Sequence, residues 1–269
     1  MGSLMERLEE LVKSYPSTNW YISELYSDIA KVQKDQLVIA NGASELIAAI
    51  TDLFVERVVI PIPTFDEFIN RAHHLGKSVE YFDWEPGADF DAEGYIDAIQ
   101  RTNANAALLI RPNNPTGSYI SGDELLKLRA GLPENILLVI DCAYAEYVIR
   151  NDYSVGFDLV DKNENTVITR TFSKIYGLAA LRIGWAYCPL SICDILNKIR
   201  GPFNLSTAAQ EAGIAAVEDE VHVAASRDHN SVWLPWLSDR LKNLGLTVYP
   251  SAANFLLIKF PETERKNCS

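Results

Sequence analysis

The sequence predicts an α/β fold in which a mostly parallel sheet of about seven strands is flanked by helices. Short β-rich runs alternate with helical patterns along most of the chain, and that alternation is typical of βαβ crossovers. Several of the runs are apolar almost throughout, as strands buried on both faces of a sheet are. The chain has 269 residues, of which 48% are hydrophobic, and this is enough for one large domain or for one domain and part of another.

The predicted elements follow one another in order along the first part of the chain. Strands are expected at residues 37–40, 57–60, 78–82, 107–110, 136–141, 166–170 and 181–187. Helices are expected at residues 44–53, 65–75, 92–101, 121–130 and 206–218. Parallel strands need such crossover connections, so the order of the elements favours a parallel sheet.

The pattern changes in the last part of the chain. Residues 221–244 predict one long helix, which Pro235 should kink because proline removes a helical hydrogen bond. Gly245 is a plausible residue just past the end of that helix. Two strands are expected after it, at residues 246–249 and 254–260. Two strands do not make a stable layer alone, so this region reads as the start of a smaller domain that is cut short.

The chain is therefore divided into three parts. We expect an N-terminal helical segment or dimer arm at residues 1–35 and a large, ligand-binding domain at residues 36–220. Residues 221–269 would hold the long helix and the truncated start of a small α+β domain.

Charge and cysteine usage exclude several classes of function. The net charge is -12, whereas proteins that bind nucleic acids or anionic membranes are usually basic. There is no apolar run of membrane-spanning length and no visible signal peptide. The four cysteines lack the close spacing of a zinc site or a disulfide framework, which fits a reducing cytoplasm: Cys142, Cys188, Cys193 and Cys268. We expect no metal site.

A lysine at position 174 is the strongest chemical signal. It stands among hydroxyl, apolar and glycine residues, and a lysine held among apolar neighbours can lose its proton and attack a carbonyl. Thr171, Ser173 and Arg182 are the kinds of group that bind a phosphate. Taken alone, a Ser-Lys pair is more often a surface lysine beside a packed strand.

Two further segments could surround a flat, phosphorylated ligand. Residues 41–47 follow a strand and open a helix, where free amides such as those of Ala43 and Ser44 attract an anion. The same pattern also fits an ordinary turn in which Ser44 caps the helix. Phe65 follows a proline-stiffened loop, and its ring could stack on a heterocycle or belong to the core.

Polar residues also follow two of the buried strands. Asn114 lies in a proline-fixed loop, at the sheet edge where ligands of α/β proteins bind, although the same dipeptides form plain turns. Asp141 ends the next strand, and Tyr144 comes three residues later. A buried carboxylate needs a partner, such as the N–H of a pyridinium ring, unless Asp141 merely caps the strand end.

Together these segments resemble the class I/II aminotransferases of fold type I, which use pyridoxal 5'-phosphate (PLP), and in particular the histidinol-phosphate aminotransferase and threonine-phosphate decarboxylase-like group. The resemblance implies that Lys174 binds PLP as a Schiff base and then acts as general base. It implies that Asp141 meets the ring nitrogen, that Asn114 and Tyr144 reach the phenolic oxygen, and that Phe65 stacks on the ring. The implied phosphate ligands are Ala43, Ser44, Thr171, Ser173, Arg182 and, from the other subunit of a homodimer, Tyr15.

The function implied is transfer of an amino group between a 2-oxo acid and an amino acid or a phosphorylated amine of the histidinol-phosphate kind, in a cytoplasmic enzyme of amino-acid biosynthesis. Phe65 and residues 41–47 favour an alternative, a PLP-dependent decarboxylase of the threonine-phosphate type. A third possibility is a non-catalytic or fragmentary PLP-binding fold. It is motivated by the missing N-terminal Asn-x-x-Pro segment and the missing arginine for the substrate carboxylate, for which Arg265 comes too early. Arg111 and Cys142 also depart from the family pattern, which usually has Asn and Glu there.

Overall fold

A seven-stranded sheet forms the centre of the protein. The computed structural model describes residues 30–162 and 165–261, together with residues 13, 15, 16, 23, 26 and 27. The strands of the large sheet are β1 Leu37–Asn41, β2 Arg57–Ile62, β3 Ser78–Asp83, β4 Ala106–Ile110, β5 Leu137–Asp141, β6 Thr166–Thr171 and β7 Ile183–Tyr187. Their order is β1-β7-β6-β5-β4-β2-β3, and β7 runs antiparallel to both of its neighbours while the other pairs are parallel. The predicted fold class is confirmed.

Helices connect and cover these strands. They are α1 Gly42–Phe54, α2 Glu67–His74, α3 Ala92–Arg101, α4 Gly122–Gly131, α5 Phe157–Lys162, α6 Leu190–Ile199, α7 Thr207–Glu218 and α8 Glu220–Asn243. Side-chain oxygens cap several of them by accepting a backbone N–H three residues further on, which satisfies an otherwise free donor. The capping residues are Asp91, Ser121, Ser206 and Asp219.

Two hydrophobic layers sandwich the sheet. In β5, Leu138 and Ile140 belong to one layer, whereas Leu137 and Val139 belong to the other. Successive strand residues point to opposite faces, so a strand that is covered on both sides reads as a continuous apolar run. The same alternation places Asp141 on the face of Leu137 and Val139, and this face is covered by α1.

Several element boundaries differ from those predicted. Helices α5 and α6 were not predicted, and the strand expected at residues 181–187 begins only at Ile183. A short 3-10 helix at Ala179–Leu181 precedes it, and Arg182 then adopts a left-handed conformation with φ 56°. A residue in that conformation cannot continue a strand.

The C-terminal region keeps the predicted order of elements with shorter strands. Helix α8 is continuous through Pro235 and is followed by Gly245, whose φ is 83°. The two predicted strands are reduced to β8 Thr247–Val248 and β9 Ile258–Lys259, which pair antiparallel. Bends at residues 252–255 replace the start of the second strand. The division of the chain into three parts stays a prediction, and most of residues 1–35 lie outside the described residues.

Two kinds of feature are absent from the part of the chain that the structure describes. In that part of the chain, no helix combines the length and the apolar composition that a membrane span needs. Nor do any three histidine, cysteine, aspartate or glutamate side chains among those residues lie close enough to share a metal ion.

Candidate active site

A cavity of about 150 Å³ lies where strands β4, β5 and β6 end at the carboxyl edge of the sheet. Ligands of open α/β sheets bind at this edge. Ten of the residues predicted from the sequence line it: Ala43, Ser44, Phe65, Asn114, Asp141, Tyr144, Thr171, Ser173, Lys174 and Arg182. The remaining lining residues are Ile47, Glu67, Ile110 and Ala143. Segments that are far apart in the sequence therefore meet at one place.

The N-terminus of α1 forms one end of the cavity. The helix begins at Gly42, so Ser44 is its third residue and does not cap it. The N-cap position is held by Asn41, whose backbone N–H donates to Oε2 of Glu45 at 2.5 Å. The amides of Ala43 and Ser44 lie in the first turn, where a helix has no internal acceptors for its N–H groups.

Two glycines allow a close approach at this end. A Cβ atom on Gly184 of β7 would lie 2.3 Å from the backbone nitrogen of Ala43. A Cβ atom on Gly42 would lie 2.4 Å from Nη2 of Arg182, so the guanidinium is packed against the start of α1. Helix amides and a guanidinium that converge in this way make an anion-binding corner.

Hydrogen bonds hold Arg182 in that position. Its Nη1 donates to Oγ of Ser173 at 3.3 Å and to the carbonyl of Ala179 at 3.0 Å. The backbone N–H of Ser173 in turn donates to Oγ1 of Thr171 at 3.0 Å. The left-handed backbone of Arg182 directs the chain from the preceding turn into β7. The three residues predicted as phosphate ligands are thus linked to one another.

Asp141 lies at the other end of the cavity and is 6% exposed. Oγ1 of Thr169, on the neighbouring strand, donates to its Oδ1 at 2.8 Å. Burial raises the pKa of Asp141 to about 6, while the hydrogen bond from Thr169 and the charges of Arg170 and Lys174 act to lower this pKa. A buried carboxylate of this kind matches a cationic ring N–H in charge and in hydrogen-bonding role.

The lysine and the tyrosine predicted as catalytic are neighbours. Nζ of Lys174 lies 5.1 Å from the centroid of the Tyr144 ring, within the range of a cation–π contact. Tyr144 is buried and packs edge-on against Phe255. Lys174 itself is exposed, so the apolar enclosure expected from the sequence is not formed by the described residues.

The loop that carries Asn114 is tied to the loop that carries Phe65. Nδ2 of Asn113 donates to the carbonyl of Pro63 at 2.8 Å, and Oγ1 of Thr64 donates to Oδ1 of Asn113 at 2.9 Å. These bonds join the segment after β4 to the segment after β2. They explain why Asn114 and Phe65 line the same cavity. The Phe65 side chain is 38% exposed.

The structure explains the arginine at position 111. This side chain is fully buried behind the loop, and its Nη1 and Nη2 donate to the carbonyls of Ser154 and Ile120, each at 2.6 Å. Its guanidinium also lies 4.5 Å from the centroid of the Tyr153 ring. Arg111 therefore braces the segments around β4 from within the core. Cys142, the other departure from the family pattern, is fully buried, and burial raises the pKa of its thiol.

One predicted residue lies elsewhere and two neighbours of the site were missed. Tyr15 is 85% exposed and contacts Phe203, with ring centroids 5.1 Å apart, outside the cavity lining. Its predicted contact belongs to another subunit and stays a prediction. Glu67 and Thr169 had no predicted role. The signals were available, because Glu67 lies two residues after Phe65 and Thr169 shares a strand face with Thr171.

Sequence comparisons place the chain among known proteins. The pattern of the family described as aminotransferase class I and II matches residues 13–267. Histidinol-phosphate aminotransferase from Nitrobacter winogradskyi is 43% identical over 237 residues, which cover 87% of this chain and 65% of that protein. Histidinol-phosphate aminotransferase from Rhodopseudomonas palustris is 55% identical over 177 residues, which cover 65% of this chain and 48% of that protein. The chain thus spans about half to two thirds of the length of these relatives.

Solved structures with the same architecture cover nearly all of the chain. Histidinol-phosphate aminotransferase from Sinorhizobium meliloti, in complex with pyridoxal-5'-phosphate, superposes with a TM-score of 0.89 at 26% identity, over 95% of this chain and 70% of that one. L-threonine-O-3-phosphate decarboxylase from Porphyromonas gingivalis superposes with a TM-score of 0.78 at 22% identity, over 96% of this chain and 76% of that one, a likeness of fold alone. Since the family pattern spans most of its residues, the chain belongs to the class I and II aminotransferase family.

Proposed function

We propose that this chain is part of a PLP-dependent aminotransferase that moves an amino group between a 2-oxo acid and an amino acid or a phosphorylated amine of the histidinol-phosphate kind. The observation that carries the proposal is a single cavity that joins an anion-binding corner, a buried carboxylate and a lysine. Its relatives in Nitrobacter and Rhodopseudomonas, both named histidinol-phosphate aminotransferase, support the choice of reaction.

The cavity residues fit PLP group by group. The amides at the start of α1, together with the side chains of Ser44, Thr171, Ser173 and Arg182, would hold the phosphate. The exposed ring of Phe65 would cover one face of the pyridine, and Asn114 and Tyr144 would donate to its phenolic oxygen. Asp141 would hold a proton on the ring nitrogen, because a buried carboxylate is stabilised by a cationic N–H partner.

Lys174 would have two tasks. PLP, when bound, supplies an electron sink for a carbanion beside the substrate nitrogen. The amine of Lys174 would anchor the cofactor covalently and, once displaced by the amino donor, carry the proton that leaves the substrate Cα. The contact of its Nζ with the Tyr144 ring keeps the amine beside the cavity while it is free of the cofactor.

The assembly and its location complete the proposal. A homodimer would bring Tyr15 of one subunit to the phosphate in the other, which is consistent with its exposure in this chain. A cytoplasmic enzyme accords with the three buried cysteines, which are free thiols.

Decarboxylation of a threonine-phosphate-like substrate is the second candidate. The order Phe65, any residue, Glu67 resembles the segment of threonine-phosphate decarboxylases. Both side chains line the cavity, and this favours the second reaction. Release of carbon dioxide from the phosphorylated amino acid, with no 2-oxo product, would favour this reaction over amino transfer.

The test is the visible absorption spectrum of the protein after incubation with PLP and removal of the excess. We expect the absorption band of a lysine–PLP imine in the parent and no such band in Lys174→Ala. The control is Lys162→Ala, which should keep the band, because Lys162 is an exposed lysine that pairs with Asp158. Turnover of histidinol phosphate with a 2-oxo acid should fall at least about 10³-fold in Lys174→Ala. Parental turnover in that variant, or a parent that retains no PLP, would contradict the proposal.

A further inference from the structure

Thr169 and Asp141 form an isolated polar contact within the buried sheet. They are paired in the register of strands β5 and β6, and Oγ1 of Thr169 donates to Oδ1 of Asp141 at 2.8 Å. Thr169 is fully buried, and Asp141 is 6% exposed. This hydrogen bond restricts the rotation of the Asp141 carboxyl group. Rotation would break the bond, and because the contact is buried, no water molecule would replace it.

Strand alternation directs this contact toward the cavity. Thr169 and Thr171 point to the same face of β6, and Thr171 lines the cavity beside Asp141. Thr169 therefore lies one layer deeper than the lining residues, behind the carboxylate. It does not line the cavity, and its side-chain hydrogen bond to Asp141 connects it to the site.

Three charged side chains influence the pKa of the same carboxylate. Glu67 of α2 acts to raise the pKa of Asp141, and burial acts in the same direction. Arg170 of β6 and Lys174 of the following turn act to lower it. Arg170 is already paired with Glu146, and Lys174 would change its charge when it binds a cofactor. The hydrogen bond from Thr169 is the lowering influence that does not depend on another ionisable group.

We propose that Thr169 is a positioning residue, which fixes the orientation of the Asp141 carboxylate and keeps it ionised against the burial of the site and the nearby charge of Glu67. This inference rests on the proposed function, in which Asp141 is the partner of the cofactor ring nitrogen. It assigns to β6 a second contribution to the site, in addition to the phosphate ligands at its end.

The variants follow from the geometry. Thr169→Val keeps the shape of the side chain and removes the donor, whereas Thr169→Ser keeps the donor. Thr166→Val is a matched control, because Thr166 is an equally buried residue of the same strand whose hydroxyl has no hydrogen-bond partner among the described residues. Thr169→Ala serves as a second donor-free variant if valine disturbs folding.

The first readout needs no cofactor. The carboxyl carbon of Asp141 is followed by NMR as a function of pH in the cofactor-free protein, with ¹³C-labelled aspartate and Asp141→Asn to assign the signal. We expect a titration midpoint about one pH unit higher in Thr169→Val and Thr169→Ala than in the parent. Thr169→Ser and Thr166→Val should titrate as the parent does. An unchanged midpoint in both donor-free variants would overturn the proposal.

The second readout is PLP affinity, measured by equilibrium titration without turnover. We expect about tenfold weaker binding in Thr169→Val and recovery in Thr169→Ser. A parent that fails to bind PLP would refute the proposed function, while the NMR titration would still decide the link between Thr169 and Asp141. Normal PLP binding with equal midpoints in all variants would refute the positioning role alone.

Discussion

The centre of the sheet and the long helix α8 are built in opposite ways. Every residue of β4, β5 and β7 is buried, whereas α8 has no buried residue along its 24 positions. The cavity lies against the first region, and its polar groups are fixed by hydrogen bonds to neighbouring strands and loops. In α8, large apolar side chains such as Trp233 and Trp236 are about half exposed.

The two regions therefore differ in how firmly their side chains are held. Of the groups that would bind PLP, Asp141, Tyr144 and Thr171 are held in a close-packed core, in which any displacement costs packing energy. A second cleft beside α8, about 650 Å³ and lined by residues such as Arg150, Asn230 and Tyr249, is much larger than this cavity. Substitutions near the sheet should therefore change the free energy of unfolding strongly, and substitutions on α8 should change it little.

The largest effect is expected for the buried ion pair between Arg170 and Glu146, whose side chains are 7% and 10% exposed. Glu146→Gln would leave the guanidinium without its counter-charge and lower the free energy of unfolding by about 3–5 kcal/mol. Glu80→Gln, in the half-exposed pair with Arg57, should cost at most about 1 kcal/mol. Urea unfolding of both variants measures the contrast, and equal losses would contradict it.

The ion pair with Glu146 also changes the pKa of Arg170. Burial acts to lower the pKa of Arg170, but the charge of Glu146 acts to raise it, and the resulting pKa lies above the ordinary value. The guanidinium therefore stays charged inside the protein, and Glu146 supplies the counter-charge that its burial requires.

A pH-dependent effect of similar size is expected from Asp141. Its pKa in the folded protein is about 6, above the ordinary value of 3.8, so the folded state binds the proton more tightly than the unfolded state. Its contribution to stability is therefore complete below pH 3.8 and is lost as the pH rises through 6, by up to about 3 kcal/mol.

The free energy of unfolding of the cofactor-free protein, measured between pH 4 and 7, tests whether stability depends on the protonation of Asp141. Asp141→Asn should gain in stability relative to the parent as the pH rises across this range. Asp83→Asn is the control, because Asp83 also ends a strand of the sheet but is exposed. A constant difference between parent and Asp141→Asn at all pH values would exclude the linkage.

The close approach of β7 to α1 predicts an intermediate effect. In Gly184→Ala the new methyl group would overlap backbone atoms of Gly42 and Ala43, which have no flexible end that could move away. We expect a loss of about 1–3 kcal/mol in unfolding free energy, together with weaker PLP binding. Gly201→Ala is the control, since no atom lies within 4 Å of its added methyl group. Similar stabilities of the two variants would show that β7 and α1 separate easily.

The smallest effect is expected on α8. Trp236 is 48% exposed and contacts Trp233, with ring centroids 5.2 Å apart. Trp236→Ala should change the free energy of unfolding by about 0.5 kcal/mol, whereas Trp185→Ala, in the core, should cost about 3–5 kcal/mol. A large loss for Trp236→Ala would mean that α8 contributes to the folded core more than its exposure indicates.

Much of this contrast could be predicted from the sequence. Strands β4 and β5 are readable because each is an apolar run covered on both faces. Asp141 ends β5, and Asn114 and Lys174 follow β4 and β6 by three or four residues, so their convergence follows from the parallel order of these strands. Helix α8 was also predicted within a residue at each end, and Gly245 marks where it stops.

The missed features depend on tertiary packing. The left-handed conformation of Arg182 is unusual for a residue other than glycine, and only its contacts with Ser173 and Ala179 make it understandable. Of the strand expected at residues 254–260, only Ile258–Lys259 forms, paired with the two residues of β8. Thr169 required the register of β5 with β6, which strand patterns alone do not give.

The exposure of the tryptophans differs between the two regions in the same way. Trp84 and Trp185 are 5% and 1% exposed, whereas Trp233 and Trp236 are 49% and 48% exposed, and Trp20 lies outside the described residues. Of these four described tryptophans, an aqueous collisional quencher reaches the pair on α8, while the buried pair emits from an apolar environment. The fluorescence of these four residues thus contains two separable signals. Loosening of the helix and melting of the sheet could be followed in one sample as two events.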